Sequence, residues 1–136
     1  MNRRDILQTV GAALAQAALA GSVLEAQTPA AAPIFEHDLP DVNLHNWALT
    51  VREISYAPGG TSAAHRHPGI TIVYVLEGQI ASKVGDGPVK IYGPGEMFME
   101  GPNDLHAVSR NASAGKPARF IALLLAEKGK PLTAPA

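Results

Sequence analysis

The sequence predicts an all-β domain, a sandwich or barrel of short strands, and three observations carry that reading. Runs of β-prone residues alternate with Gly/Pro punctuation at spacings of about 8–12 residues, the rhythm of strands joined by tight turns. The 136 residues include 13 Gly and 11 Pro, a composition rich in turns and long enough for one domain. No helical period is evident beyond the first 26 residues; the best late candidate, RFIALLLAEK, is short, follows Pro117 and is read as a buried final strand.

The elements follow in order. Residues 1–26, MNRRDILQTVGAALAQAALAGSVLEA, stand apart from the rest. Arg3 and Arg4 precede an Ala/Leu-rich stretch and the small-x-small site Ala18-Leu19-Ala20, the layout of a cleaved secretory signal peptide. The apolar part, Ile6 to Ala20, is interrupted by Gln8, Thr9 and Gln16 and falls short of the ~20 residues a spanning helix needs. Arg3-Arg4-Asp5-Ile6-Leu7 resembles a twin-arginine export signal, from which Asn2 and Gln8 depart, and that resemblance implies a periplasmic or otherwise exported protein.

Residues 27–46 read as a linker and N-terminal arm, opening on QTPAAAP; 47–128 as the barrel; and 129–136 as a tail whose LTAPA resembles the linker in having little to bury. The barrel strands are WALTVREISYA, ITIVYVLEG, QIASKVG, DGPVKIY, GPGEMFMEGPND, LHAVSRNAS and ARFIALLLA, with PGGTSAA as a break after the first. Alternation places Ile72, Tyr74 and Leu76 on one face and Thr71, Val73 and Val75 on the other. Glu77-Gly78-Gln79 is expected to close a tight hairpin, with further turns at Gly85-Asp86-Gly87-Pro88 and Gly93-Pro94-Gly95.

Charge and composition narrow the partner. A formal net charge of -1 gives no basic footprint for nucleic acid and no polybasic membrane patch, which leaves a small molecule as the expected ligand. With no cysteine, any metal must be held by histidine and carboxylate.

His65 and His67 supply the first such pair. At i and i+2 of an extended segment both rings share one face, about 6.5–7 Å apart along the backbone, so they can close on one ion. Imidazole suits divalent transition metals. A pair of exposed histidines without a metal would show the same spacing.

The surroundings decide between these readings. Gly59-Gly60-Thr61-Ser62-Ala63-Ala64-His65-Arg66-His67-Pro68 with Tyr74-Val75-Leu76-Glu77-Gly78 resembles the first motif of the cupin superfamily. Gly93 to His106, GPGEMFMEGPNDLH, followed by Asn111, is similar to the second. The likeness covers about residues 47–126 and implies a double-stranded β-helix, or jelly-roll, barrel with His65, His67 and His106 as metal ligands. The implied metal is iron or manganese first, with zinc, nickel or copper also suited to imidazole. Cupin arms often cross to a neighbouring subunit, so a homodimer is expected.

Two departures qualify the likeness. The slot of the family's usual glutamate falls on Thr71 or Ile72, and Thr71, of inner-face parity, is left to orient a bound water. The loop Pro102-Asn103-Asp104-Leu105 is one residue shorter than usual before His106. Glu100 is a candidate catalytic residue or replacement carboxylate, against the plainer reading of an exposed turn glutamate. Tyr74 is a candidate proton donor, against simple packing. Of Arg52 and Glu53 one must face inward, and Glu53 is weighed as a partner of the site. The resemblance implies a metal-dependent oxidoreductase of dioxygenase type acting on a substrate with a bidentate oxygen pair. A cupin lyase or isomerase, or a non-catalytic ligand-binding barrel, are the alternatives.

Overall fold

A computed structural model describes residues 30–136, so the export signal read over residues 1–26 lies outside the described residues. Among the described residues of the arm, 30–46, there is no regular strand. Ten strands follow: β1 (Trp47–Tyr56), β2 (Thr61–Ser62), β3 (His65–Arg66), β4 (Ile70–Glu77), β5 (Ile80–Val84), β6 (Lys90–Tyr92), β7 (Met97–Glu100), β8 (Leu105–Asn111), β9 (Ala118–Glu127) and β10 (Ala134–Pro135). No helix occurs among the described residues.

The strands form two antiparallel sheets that wrap one interior, a double-stranded β-helix. One sheet has the order β1-β9-β4-β7; the other runs β10-β3-β8-β5-β6, with β2 also pairing β8. The long strand β9 is central, paired by β1 and β4, with Ala118, Phe120, Ala122, Leu124 and Ala126 buried on its inner face and Ile121, Leu123 and Leu125 half-buried on the outer one. Arg119 is the outward exception, answered by Glu53 and Glu77.

Register divides the interior into layers. One row across the first sheet is Ile54–Phe120–Val75, and it merges with Val73, Ile80, Phe98 and Ala118 into a dry apolar cluster. Two rows away runs Thr50–Leu124–Thr71–Glu100, so the same inner face becomes polar toward β7. The cavity therefore has an apolar wall, shared with this cluster through Val73 and Phe120, and a polar end at Thr71 and Glu100.

One turn and the tail differ from what composition suggests. Glu77-Gly78-Gln79 does not close a hairpin: β4 and β5 belong to different sheets, and the turn carries the chain across the barrel edge. Gly78 has φ +72°, and a Cβ there would strike the Pro117 carbonyl, so only glycine permits that crossing. The tail also differs. Ala134 and Pro135 return to pair with β3, opposite Arg66 and His65, because β3 is otherwise an open edge of its sheet.

Gly69 lies between His67 and β4, where the backbone passes so close to Leu125 that a Cβ would run into its carbonyl oxygen. Gly69→Ala is expected to destabilise the fold by about 1–3 kcal/mol, read as a lowered urea midpoint.

Candidate metal centre

His65 and His67 flank Arg66 on and just beyond β3, and the extended backbone turns both rings inward while Arg66 points away. Arg66 Nη1 donates to the carbonyl of Asn103 at 2.6 Å, and the Asn103 amide donates to the carbonyl of His67 at 2.7 Å. These two bonds tie the H-x-H segment to the loop that precedes His106. Asn103 takes a φ of 60°, a left-handed conformation that asparagine tolerates, and the Asp104 carboxylate accepts from the Gly101 amide at 3.0 Å. The short loop is thus pinned by hydrogen bonds at Gly101, Asn103 and Asp104.

His106 sits directly opposite His65 across the β3–β8 ladder. The ring centroids of His65 lie 4.9 Å from those of both His67 and His106. Glu100 completes the group from the other sheet. It is 2% exposed, and its Oε2 lies 3.1 Å from His106 Nδ1 and 3.6 Å from His67 Nε2. The reading of an exposed turn glutamate is corrected: alternation in β7 turns Phe98 and Glu100 inward together, so burial of the first carries the second.

Hydrogen bonds fix how each ring is presented. His65 Nδ1–H donates to the Ala63 carbonyl at 2.8 Å, and His67 Nδ1–H donates to the Leu132 carbonyl at 2.7 Å, so each leaves the Nε2 lone pair for the interior. His106 is turned the other way. Its Nε2 meets Ser82 Oγ at 2.8 Å, and its Nδ1 faces Glu100. The register shift between Lys83 and Val84 puts the extra residue, Ala107, in β8, and beyond this bulge Ser109 shares the inner face with His106 despite odd spacing.

The donor set fits a divalent cation. Glu100 Oε2, His106 Nδ1 and Thr71 Oγ1 are buried and have no hydrogen-bond partner. The approach of 3.1 Å between Glu100 and His106 lacks hydrogen-bond alignment, leaving two acceptor-capable atoms facing one another. One ligand atom from each of His65, His67, Glu100 and His106 lies within 4.8 Å of all the others, a cluster that could hold one ion. Three imidazoles and a carboxylate suit iron, manganese, zinc, nickel or copper.

Other sequence candidates go elsewhere. Thr71, 1% exposed, stands opposite Glu100 in the β4–β7 register and lines the cavity. Tyr74 does not reach it: three residues from Thr71, it takes the outer face of β4 between Met97 and Ile121. Glu53 is also outside, at 2.7 Å from Arg119 Nη1. Hydrogen bonding to Glu53, then to Glu77, holds Arg119 above the ordinary guanidinium pKa. His37 and His45 lie in the arm, apart from the cluster. Ser82 carries no mark in the sequence beyond its inward parity in β5, and Tyr56, a phenolic donor that the sequence suggests as packing, places its hydroxyl on Ser62 and Ser109 at the cavity wall.

Two wrapped antiparallel sheets with a histidine–carboxylate cluster in the cavity between them define a jelly-roll barrel with a candidate metal site. The Cupin domain family matches residues 52–124, and the chain belongs to that family. It is 34% identical over 91 residues to the cupin-domain-containing oxidoreductase srdB of Neurospora crassa, covering 67% of this chain and 45% of that protein. It is 34% identical over 86 residues to germin-like protein subfamily 2 member 4 of Arabidopsis thaliana, covering 57% of this chain and 37% of that one. The chain thus spans less than half the length of these curated relatives. Among solved structures, the polyketide cyclase RemF from Streptomyces resistomycificus aligns with a TM-score of 0.54 at 24% identity, over 65% of this chain and 60% of that one. This likeness is one of fold.

Proposed function

We propose that this protein is an exported metal-dependent oxidoreductase of dioxygenase type, acting on a small substrate that presents two oxygen atoms. The observation that carries the reading is the convergence of His65, His67, Glu100 and His106, with orphaned buried atoms on two of them, in a cavity of about 320 Å³. The similarity to an oxidoreductase-named cupin supports the reaction class. A bound iron or manganese ion would supply Lewis acidity and, with dioxygen, redox capacity.

The chain's own residues do the rest. The two Nδ1–H bonds, to Ala63 and Leu132, hold His65 and His67 in the tautomer that offers Nε2. Ser82 fixes the His106 ring. Glu100 would be the one anionic ligand, contributed from β7, and would lower the net charge of a loaded site by one. Thr71 Oγ1, unpartnered beside it, is free to hydrogen-bond a substrate oxygen or water. Leu124, Phe120 and Val73 line the remaining wall and exclude water from the reacting atoms.

Export rests on residues 1–26, and a homodimer is supported by the exposed apolar residues Leu49 and Val51 on β1, an edge strand, and Ile34 and Leu39 in the arm. The test is elemental analysis of wild type and His106→Ala. Near one equivalent of iron or manganese per chain is expected, lost in the variant, with oxygen uptake on turnover of enol or catechol substrates. Turnover without oxygen consumption would move the protein to the lyase or isomerase class, and a metal-free wild type would overturn the proposal.

A further inference from the structure

The inner face of β1 carries Thr50, Arg52, Ile54 and Tyr56, of which all but Thr50 line the cavity. Arg52 is out of keeping with its row, which continues across the sheet through Ala122, Val73 and Phe98. Among the described residues its guanidinium has no ion-pair partner and no side-chain hydrogen bond. The neighbouring arginines are engaged: Arg119 by Glu53 and Glu77, Arg66 by the Asn103 carbonyl.

A cation directed over an apolar wall gains little from the protein and stays hydrated at the cavity mouth until a counter-charge enters. A guanidinium offers a planar fork of donors matched to a carboxylate. Its place relative to the metal centre is set by the sheet. β1 and β7 are opposite edges of the four-stranded sheet, and Arg52 and Glu100, on adjacent inner-face rows, line the same cavity. Three strand spacings, about 14 Å between backbones, separate the two edges, and an arginine side chain can span part of that gap, which leaves the length of a short carbon chain. On the wall, the Tyr56 hydroxyl is bonded to Ser62 Oγ and, at 2.9 Å, to Ser109 Oγ, a neutral polar patch that can accept or donate to a hydroxyl or carbonyl.

We propose that Arg52 binds the distal carboxylate of a small acid whose other end presents an oxygen pair to the histidine–Glu100 cluster. The substrate class is dicarboxylic 2-oxo or 2-hydroxy acids of about four to six carbons, a size suited to a cavity at the small end of the ligand-pocket range. This inference rests on the metal reading above. Arg52 sets selectivity by leaving a hydrated cation at the mouth when a neutral chain end enters and a paired one when a carboxylate does.

The experiment uses the full chain loaded with manganese(II), with metal content measured on every sample. Wild type and Arg52→Gln are titrated calorimetrically with 2-oxo acids of four to six carbons, each with and without a terminal carboxylate. Wild type is expected to bind at least one of the dicarboxylates about tenfold more tightly than the monocarboxylate of the same length. Arg52→Gln should keep its metal and its affinity for the monocarboxylate while losing that preference. A metal-loaded wild type without the preference, or a preference that survives in Arg52→Gln, overturns the role of Arg52 alone. A wild type that takes up no manganese overturns the metal reading together with it.

Discussion

Glu100→Gln is expected to weaken divalent-metal binding by about 100-fold or more while raising the stability of the metal-free protein by about 1–3 kcal/mol. The opposite signs follow from one geometry. With an ion present, Glu100 Oε2 would serve as an anionic ligand alongside three neutral imidazoles. Without one, it is a buried carboxylate oxygen with no donor, 3.1 Å from a ring nitrogen it does not align with. The amide keeps the shape, removes the carboxylate and supplies an N–H that His106 Nδ1 or Thr71 Oγ1 can accept. Metal titration and urea unfolding with and without chelator read both effects. If Glu100→Gln destabilises the metal-free protein and leaves metal affinity unchanged, the carboxylate is a structural acceptor and not a ligand.

The register gives this prediction a rescue. Thr71 and Glu100 are direct partners in the β4–β7 ladder, and their side chains enter the cavity side by side. Exchanging them, Thr71→Glu with Glu100→Thr, moves the carboxylate one strand over, to the slot that the first cupin motif reserves for an acid. The exchanged protein should recover part of the affinity lost in Glu100→Thr alone. Directly opposed residues have Cβ atoms about 4.5–5.5 Å apart, which is within the reach of a glutamate side chain.

How much of this was legible in the sequence depends on whether the information was local. The shared face of His65 and His67 follows from spacing alone, and strand boundaries followed Gly and Pro closely enough to find β1 and β4 through β9. Parity also held the answers for Tyr74 and Glu53: Thr71 and Val73 face the interior, which sends Tyr74 outward, and the inward residue of the Arg52–Glu53 pair is the one aligned with Ile54 and Tyr56. Cross-strand register was not legible. Nothing near Glu100 in the chain says that Thr71 lies opposite it. The bulge beside His106 is equally silent, since an extra residue in one strand leaves no compositional mark. The two-residue strands β2, β3 and β10 are too short to show a period, and β10 forms only because β3 has an open edge for it to cover.

That open edge leads to the second large effect. A chain ending at Lys130 is expected to bind metal about 10–100-fold more weakly than the full chain while losing no more than about 1 kcal/mol of metal-free stability. The tail contributes little burial, since β10 is two residues long and sits at the edge of its sheet. Its contribution to the site is the Leu132 carbonyl, which accepts from His67 Nδ1 at 2.7 Å and so keeps the Nε2 lone pair directed inward. Without that acceptor the ring is free to rotate or to carry its proton on Nε2, and either change takes His67 out of the donor set for part of the time. Thr133→Ala is the control, because the Thr133 hydroxyl stands 3.4 Å from the same nitrogen and is the weaker of its two contacts. A large loss of affinity in Thr133→Ala with little in the truncated chain would assign the orienting bond to the hydroxyl. Leu132→Ala, which keeps the backbone carbonyl, should bind metal like wild type, and a loss there would show that the tail acts by apolar packing over the cavity instead of by fixing the histidine ring.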